Sequence, residues 1–360
     1  MKTSRIIIIV LVVVVIVVVA IYAVTALTAA PQLCTSTWNC AAGYPVQVGG
    51  TFAIAGEQCV STTSSIYCIG GQDANTGPRN DVYYASAISS SGNVTGWTPN
   101  SHAYPHYIDG ESCVLSSGFV YCVGGSYNDN GDDVASSYYA NVTASGSLGS
   151  WSSTTAYPIP VDSQSCVASS SYIYCVGGNN ETDGSNADAT ATNSVWYAPL
   201  SPSGIGNWSL TTAYPSNDYY PSCFASGSDV YCLGGADSND NSLGTAYYAP
   251  LSSSGVGAWA STNSYPVAGT GQACVISSAD ILCVGGETSG GSSPTYTNAV
   301  YYAPISSGGI GTWKQSTSYP VSVGTECVAL SGDVYCVGGF ESSNGANNFV
   351  EYASLASLTS

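Results

Sequence analysis

One arrangement recurs six times in this 360-residue chain: Tyr-Pro, a cysteine, eight residues, a second cysteine, Gly-Gly, a tyrosine-rich segment and a tryptophan. The cysteine pairs are Cys59/Cys68, Cys113/Cys122, Cys166/Cys175, Cys223/Cys232, Cys274/Cys283 and Cys327/Cys336, and successive first cysteines stand 54, 53, 57, 51 and 53 residues apart. A period of that length means repeated supersecondary units, each too small to bury a core alone and therefore stacked on its neighbours.

Within one unit the chain reads as four short strands, Cys274 to Ile276, Ile281 to Val284, Ala299 to Ile305 and Thr312 to Gln315, separated by turn residues. Four strands per unit describe the blade of a β-propeller. In the first hairpin the two-residue loop, such as Ser117-Gly118 or Ser331-Gly332, places the two cysteines on a directly opposed, non-hydrogen-bonded pair. There the Cα atoms approach to about 4.5 Å, within disulfide reach. Six cross-strand bridges are expected, each closing a short loop and contributing on the order of 2.5 kcal/mol.

The Gly-Gly pairs at 70/71, 124/125, 177/178, 234/235, 285/286 and 338/339 end the second strand, and a Tyr and then a Trp follow. Leu282-Cys-Val-Gly-Gly286, Val300-Tyr-Tyr-Ala303 and Gly311-Thr-Trp313 resemble the kelch repeat, and the likeness runs from about residue 36 to 355. It implies an all-β, six-bladed kelch-like propeller. Two features depart from the kelch pattern: the cysteine pair is additional, and the basic residue often found before the first strand is absent. The sixth unit reaches Tyr352 without a tryptophan of its own, so Trp38 is the missing member of the series Trp97, Trp151, Trp208, Trp259 and Trp313. The strand around Trp38 should pair as the outer strand of the last blade and remove the open edge. Cys34 and Cys40, flanking Trp38, are expected to form a seventh bridge.

Residues 6–27 form an apolar run long enough, at ~1.5 Å per residue, to cross a bilayer as a helix. Lys2 and Arg5 precede it, and the next cation is Arg79, which by the positive-inside tendency places residues 1–5 in the cytoplasm. The expected layout is a transmembrane anchor at 6–27, a linker at 28–33 and an extracellular propeller at 34–360, a single-pass protein of the cell membrane. Fourteen cysteines in such a location argue for disulfides rather than metal ligation.

Beyond the anchor the only cations are Arg79 and Lys314, against all 22 acidic residues, so nucleic acid is excluded as a partner. Charged residues make up only 7% of the chain, which points to a surface independent of ionisation and to an acidic habitat.

Candidate ligand-binding residues stand near the start of each first strand: Glu57, Glu111, Gln164 and Gln272, two positions before the first cysteine, with Asp109, Asp218 and Glu326 close by. Their types differ between units, unlike the repeated Tyr and Trp, which are read as packing. The loops after Gly-Gly carry Asp73, Asp129, Asp132, Asp133, Glu181, Asp183, Asp237 and Asp240. Two of these loops faintly resemble calcium loops but lack the terminal bidentate acid, so no metal or other cofactor is expected, with calcium the weak alternative. His102 and His106 flank Tyr104-Pro105 without a convincing further ligand. Asn93, Asn141, Asn180 and Asn207 open Asn-x-Ser/Thr sequons and are glycosylation candidates on an exported chain.

No catalytic residues are assigned. A sialidase needs an arginine cluster, and a copper-radical oxidase needs two histidines and a Tyr/Cys cross-link. The expected function is non-catalytic recognition, adhesion or an envelope role at the cell surface, toward a protein or glycan partner. The alternative is an extracellular glycan-active hydrolase using carboxylates at the channel mouth.

Overall fold

The computed structural model describes residues 34–45, 54–73, 77–86, 88–89, 92–127, 132–180, 190–277, 279–289, 295–341 and 345–360. The apolar run at 6–27 and its flanks lie outside them, and among the described residues no helix is long and apolar enough to cross a membrane. Among the described residues of the unit Leu33–Ser360 the fold is all-β, with antiparallel sheets and one short helix, Leu355–Leu358.

Each repeat makes one main sheet in chain order, and small two- or three-stranded sheets stand beside some of them. The second consists of Ser112–Ser116, Phe119–Val123, Ser137–Asn141 and Ser152–Ser153. The fifth consists of Ala273–Ser277, Asp280–Val284, Val300–Ser306 and Lys314–Gln315. Here the structure adds an element to the expected four, because Ser306 folds back and pairs with Gly309 before the last strand begins. The sixth sheet takes Val323–Leu330, Asp333–Glu341 and Gly345–Ser354 from the C-terminal end and Asn39–Cys40 from the N-terminal end. Asn39 opposes Tyr352 and Cys40 opposes Glu351, so the expected pairing beside Trp38 is present.

The first strands follow one another in cyclic order. Each lies against the first strand of the preceding and following sheets, and Val323–Leu330 lies against Gln58–Ser61 to complete the circuit. Tyrosines of the second strands tie adjacent sheets together. Tyr67, Tyr121, Tyr174 and Tyr231 donate their hydroxyls to carbonyls of Gly146, Ser201, Ser252 and Ser306 in the next repeat. Tyr335 of the sixth repeat donates to Gly92 of the first at 2.7 Å, across 243 residues of sequence.

The tryptophans follow one rule. Each Tyr-Pro tyrosine packs edge-on against the tryptophan of its own sheet, at 5.0 Å for Tyr44/Trp97, 4.9 Å for Tyr104/Trp151 and 4.9 Å for Tyr157/Trp208. Tyr319 in the sixth repeat finds Trp38, with centroids 4.8 Å apart. Trp38 is fully buried, and its indole N–H donates to the Thr317 carbonyl as Trp208 and Trp259 donate to Thr155 and Thr212.

Seven disulfides are formed, in the pairing expected from the hairpins and from the residues flanking Trp38: Cys34–Cys40, Cys59–Cys68, Cys113–Cys122, Cys166–Cys175, Cys223–Cys232, Cys274–Cys283 and Cys327–Cys336. Cys113 directly opposes Cys122, with Cα atoms 4.1 Å apart. The loop between them, Ser117-Gly118, has φ of 51° and 80°, the mirror-image turn that suits strand twist. Replacing Cys113 and Cys122 together by alanine should cost about 2–3 kcal/mol. Urea unfolding under non-reducing conditions measures this, and a loss below about 0.5 kcal/mol would show that the hairpin is already closed in the unfolded chain.

Candidate functional site

The starts of the first strands converge on a cavity of about 490 Å³ that receives residues from all six repeats. Successive positions before each first cysteine have separate tasks.

The cysteines themselves divide by strand. The first of each pair, Cys59, Cys113, Cys166, Cys223, Cys274 and Cys327, borders the cavity. Their partners Cys68, Cys122, Cys175, Cys232, Cys283 and Cys336 do not belong to the site. They sit on the second strands, one strand farther from the cavity, where all six are fully buried in the apolar core. With both sulfurs of every pair committed to a disulfide, these residues hold the hairpins and offer a ligand no thiol.

The residue immediately before the cysteine points along the circuit. Ser112 and Ser165 accept the backbone N–H of Cys166 and Cys223 at 2.9 and 3.1 Å, and Gln58 accepts that of Cys113 at 3.5 Å. These bonds satisfy the otherwise open inner edges of neighbouring sheets. In the sixth repeat the same position holds Glu326, which lines the cavity, and burial pushes its carboxyl up to about 8.

The residue two before the cysteine is buried at the junction with the preceding sheet. Gln164 donates to the Val123 carbonyl at 2.7 Å, and Gln272 donates to that of Leu233 at 3.0 Å. Both carbonyls belong to the residue ahead of a Gly-Gly pair, and the glycines are what make room. A Cβ on Gly124 would lie 2.7 Å from the Gln164 amide nitrogen. Glu111 and Glu57 occupy the same place in their own junctions: a Cβ on Gly70 would lie 2.6 Å from Glu111 Oε1, and one on Gly338 2.6 Å from Glu57 Oε1. Glu111 is 1% exposed and Glu57 2%. Glu111 Oε1 and Oε2 and Glu57 Oε1 have no hydrogen-bond partner. Burial pushes the Glu57 carboxyl up to about 8, with Glu326 adding to the rise, and drives that of Glu111 well above the carboxylate range. A protonated carboxyl can donate as an amide does, and an ionised one cannot. The two glutamates are therefore acid-form counterparts of Gln164 and Gln272.

The residue three before the cysteine forms a collar at the cavity mouth. Gly56, Gly110, Ser163, Tyr220 and Gly271 all have left-handed φ, from 54° to 70°. Ser163 donates its N–H to Gly110 and Tyr220 donates to Ser163, at 2.9 and 2.8 Å. A tyrosine at a position suited to glycine is strained, and such strain persists where surrounding structure imposes it. The Tyr220 ring lines the cavity and remains 46% exposed. Tyr220→Gly should be stabilising by up to about 1 kcal/mol, since glycine adopts this φ freely but adds chain entropy to the unfolded state. Thermal melting checks it, and a loss beyond about 1 kcal/mol would mean that the ring holds the collar together.

The structure brings Glu57, Asp109, Glu111, Gln164, Gln272 and Glu326 to the cavity wall. Asp109 stands four before its cysteine, half-buried, with its carboxyl raised to about 6 by burial. Asp218 is not on that wall. It is fully buried against Gly235 of its own repeat, which pushes its carboxyl up to about 9. Tyr220, Tyr296, Phe340 and Glu287 also line the cavity and were not among the residues expected there. Tyr220 had a legible signal, because four of the six repeats carry glycine at its position and a fifth carries serine.

The acidic loops behave as polar turns. Asp237 accepts the N–H groups of Asn239 and Asn241 at 2.8 and 3.1 Å, and these bonds with the Asn241 side chain hold its carboxyl below the usual range. Asp129, Glu181 and Asp183 lie outside the described residues. His106 stacks on Tyr127 at 4.5 Å and bonds the Tyr138 hydroxyl at 2.7 Å, whereas His102 is exposed beside Ser101. Among the described residues no three of His, Cys, Asp and Glu converge as metal ligands.

No family model matches the chain, and no curated protein matches it. Among solved structures it is similar to that of YjhT, with a TM-score of 0.68 over 86% of this chain and 95% of that one. At 13% identity this is a likeness of fold.

Proposed function

We propose that this chain is a six-bladed kelch-like propeller held at the cell surface by its N-terminal helix, and that it recognises a partner through the mouth of its axial cavity without catalysing a reaction. The observation that carries the reading is the strained Tyr220 on the collar. Each sheet supplies the same scaffold there, yet the side chains presented differ from repeat to repeat, as a binding site requires and a packing motif does not. The seven disulfides suit an oxidising exterior.

Catalysis by carboxyls is the second reading, favoured by one observation. Asp109 and Glu111 share a wall, and their carboxyls are raised to different extents, as a general acid and its partner need.

The test is to present the full-length protein, in detergent, to an array of neutral, acidic and amino-sugar glycans alongside basic peptides, followed by long incubation with any binder. The expected result is retention without cleavage, weakened about tenfold or more in Tyr220→Gly. Binding untouched by that substitution would move the site away from the cavity, and cleavage would establish the hydrolase.

Exposed Asn141 and Asn207 should carry any N-linked glycan. Asn180, whose amide donates to Pro160 at 2.7 Å, and half-buried Asn93 should not. Glycopeptide mass spectrometry of the native protein decides, and occupancy at Asn180 would contradict the burial argument.

A further inference from the structure

The cavity is two-sided. Glu326, Glu57, Asp109 and Glu111 come from the sixth, first and second repeats, which are consecutive around the circuit, whereas Tyr220, Tyr296 and Phe340, with the single carboxyl of Glu287 beside Tyr296, come from the fourth, the fifth and the end of the sixth. Among the described residues no Lys, Arg or His lines it. Among them too, every buried side-chain polar atom left without a partner on this wall is an oxygen: Glu57 Oε1, Glu111 Oε1 and Oε2, Gln164 Oε1 and Gln272 Oε1. The wall thus presents no cationic donor and no positive charge to balance its carboxyls.

An anion would meet no donor of matching charge. A bare divalent ion would need several converging carboxylates, and no such group occurs among the described residues. A group with several N–H donors, a positive charge and an alkyl stem meets both sides: its head satisfies acceptors, and its stem or charge lies on aromatic rings. We propose that the axial cavity binds a primary ammonium group carried on an alkyl chain, with the ammonium at Glu326 beside Glu57 and the chain against Tyr220, Tyr296 and Phe340. The inference rests on the recognition reading and specifies the chemistry of the group received.

Occupancy is tied to protons. The titratable groups facing this space are Glu57, Asp109, Glu111, Glu287 and Glu326, with Tyr220 and Tyr296; Asp162 and Asp240 act on it from the collar and the adjacent loop. Burial holds the carboxyls in the acid form at low pH. An ammonium favours their ionised form, so its entry expels protons to solvent.

The experiment is calorimetric titration of the full-length protein with 1,4-diaminobutane near pH 5 and near pH 8, in two buffers of different ionisation heat. Binding is expected to tighten at least about tenfold between the two pH values, with proton release shown by the buffer dependence. Tyr220→Gly and Glu326→Gln should each weaken it about tenfold, and near pH 5 Glu326→Gln should leave the melting curve unchanged while Tyr220→Gly raises it slightly. Binding that ignores pH or either substitution overturns the proposal, as does equal competition by calcium chloride at matched ionic strength. Should a neutral oligosaccharide bind the parent and not Tyr220→Gly while the diamine is silent, the ammonium assignment falls and axial recognition stands. Silence from the diamine together with an empty array removes both.

Discussion

Replacing Glu57 and Glu111 together by glutamine is expected to stabilise the protein by several kcal/mol near pH 8 and to change nothing near pH 4. The folded chain raises the Glu57 carboxyl from 4.5 to about 8, so ionising it in place costs about 5 kcal/mol more than in the unfolded chain. For an acid raised on folding, the native state holds the extra proton. Stability is therefore greatest below the unfolded value and falls as pH rises from 4.5 toward 8. Glu326 titrates over the same range, and Asp218 loses stability as pH rises from 3.8 toward about 9. Glutamine supplies permanently the N–H that the carboxyl supplies only when protonated, as Gln164 and Gln272 already do toward Val123 and Leu233. Urea unfolding at several pH values measures the difference. If the double variant keeps the parent's slope between pH 4 and 8, the buried glutamates are not the groups that titrate. The parent itself should melt higher at pH 4 than at pH 8, in line with the low charge content and the acidic habitat it suggests.

Trp38→Ala is the second large effect, with an expected loss of about 3–5 kcal/mol. The indole is fully buried, meets Tyr319 edge-on at 4.8 Å and carries the hydrogen bond to Thr317. Its removal also loosens the pairing of Asn39 and Cys40 with Tyr352 and Glu351 and exposes the edge of Gly345–Ser354. Glu351, fully buried and accepting the Tyr319 hydroxyl, would then meet water. Hydrogen exchange should quicken first in the sixth sheet. A loss no greater than that of Trp208→Ala, whose sheet comes wholly from consecutive sequence, would mean that closure adds nothing beyond burial.

The repeat was legible because one physical need recurs with one spacing. A cysteine pair nine apart faces itself across a two-residue turn, and the sixth unit lacks a tryptophan of its own, which marked Trp38 as the missing member; the structure then adds its contact with Tyr319. The site was only half legible. Glu57 and Glu111 were expected at the mouth because they begin inner strands, and they do line the cavity, but each also turns a carboxyl oxygen into the junction over Gly338 or Gly70. That depends on which face the preceding sheet presents, a relation between residues some 55 positions apart, like that of Gln58 with Cys113. Asp218 was expected among them on proximity in sequence, yet the chain turns at Tyr219 and Tyr220 and leaves it under Gly235. Tyr220 is hidden by the abundance of tyrosine in this chain; it stands out only against the glycine or serine that the other five repeats carry at its position, and by its left-handed φ.

The sixth sheet also sets a timetable. Trp38 and its acceptor Thr317 are separated by 279 residues, so at ~5–20 residues per second the first waits some 15–60 s for the second to be made. Five sheets can assemble from consecutive sequence in that interval, while the segment that finishes the sixth has nothing to pair with. The strand Gly345–Ser354 then receives Asn39–Cys40, made long before it. A nascent chain released early, or cut anywhere before Gly345, is left with an unmatched tryptophan strand at one end and no place to put it.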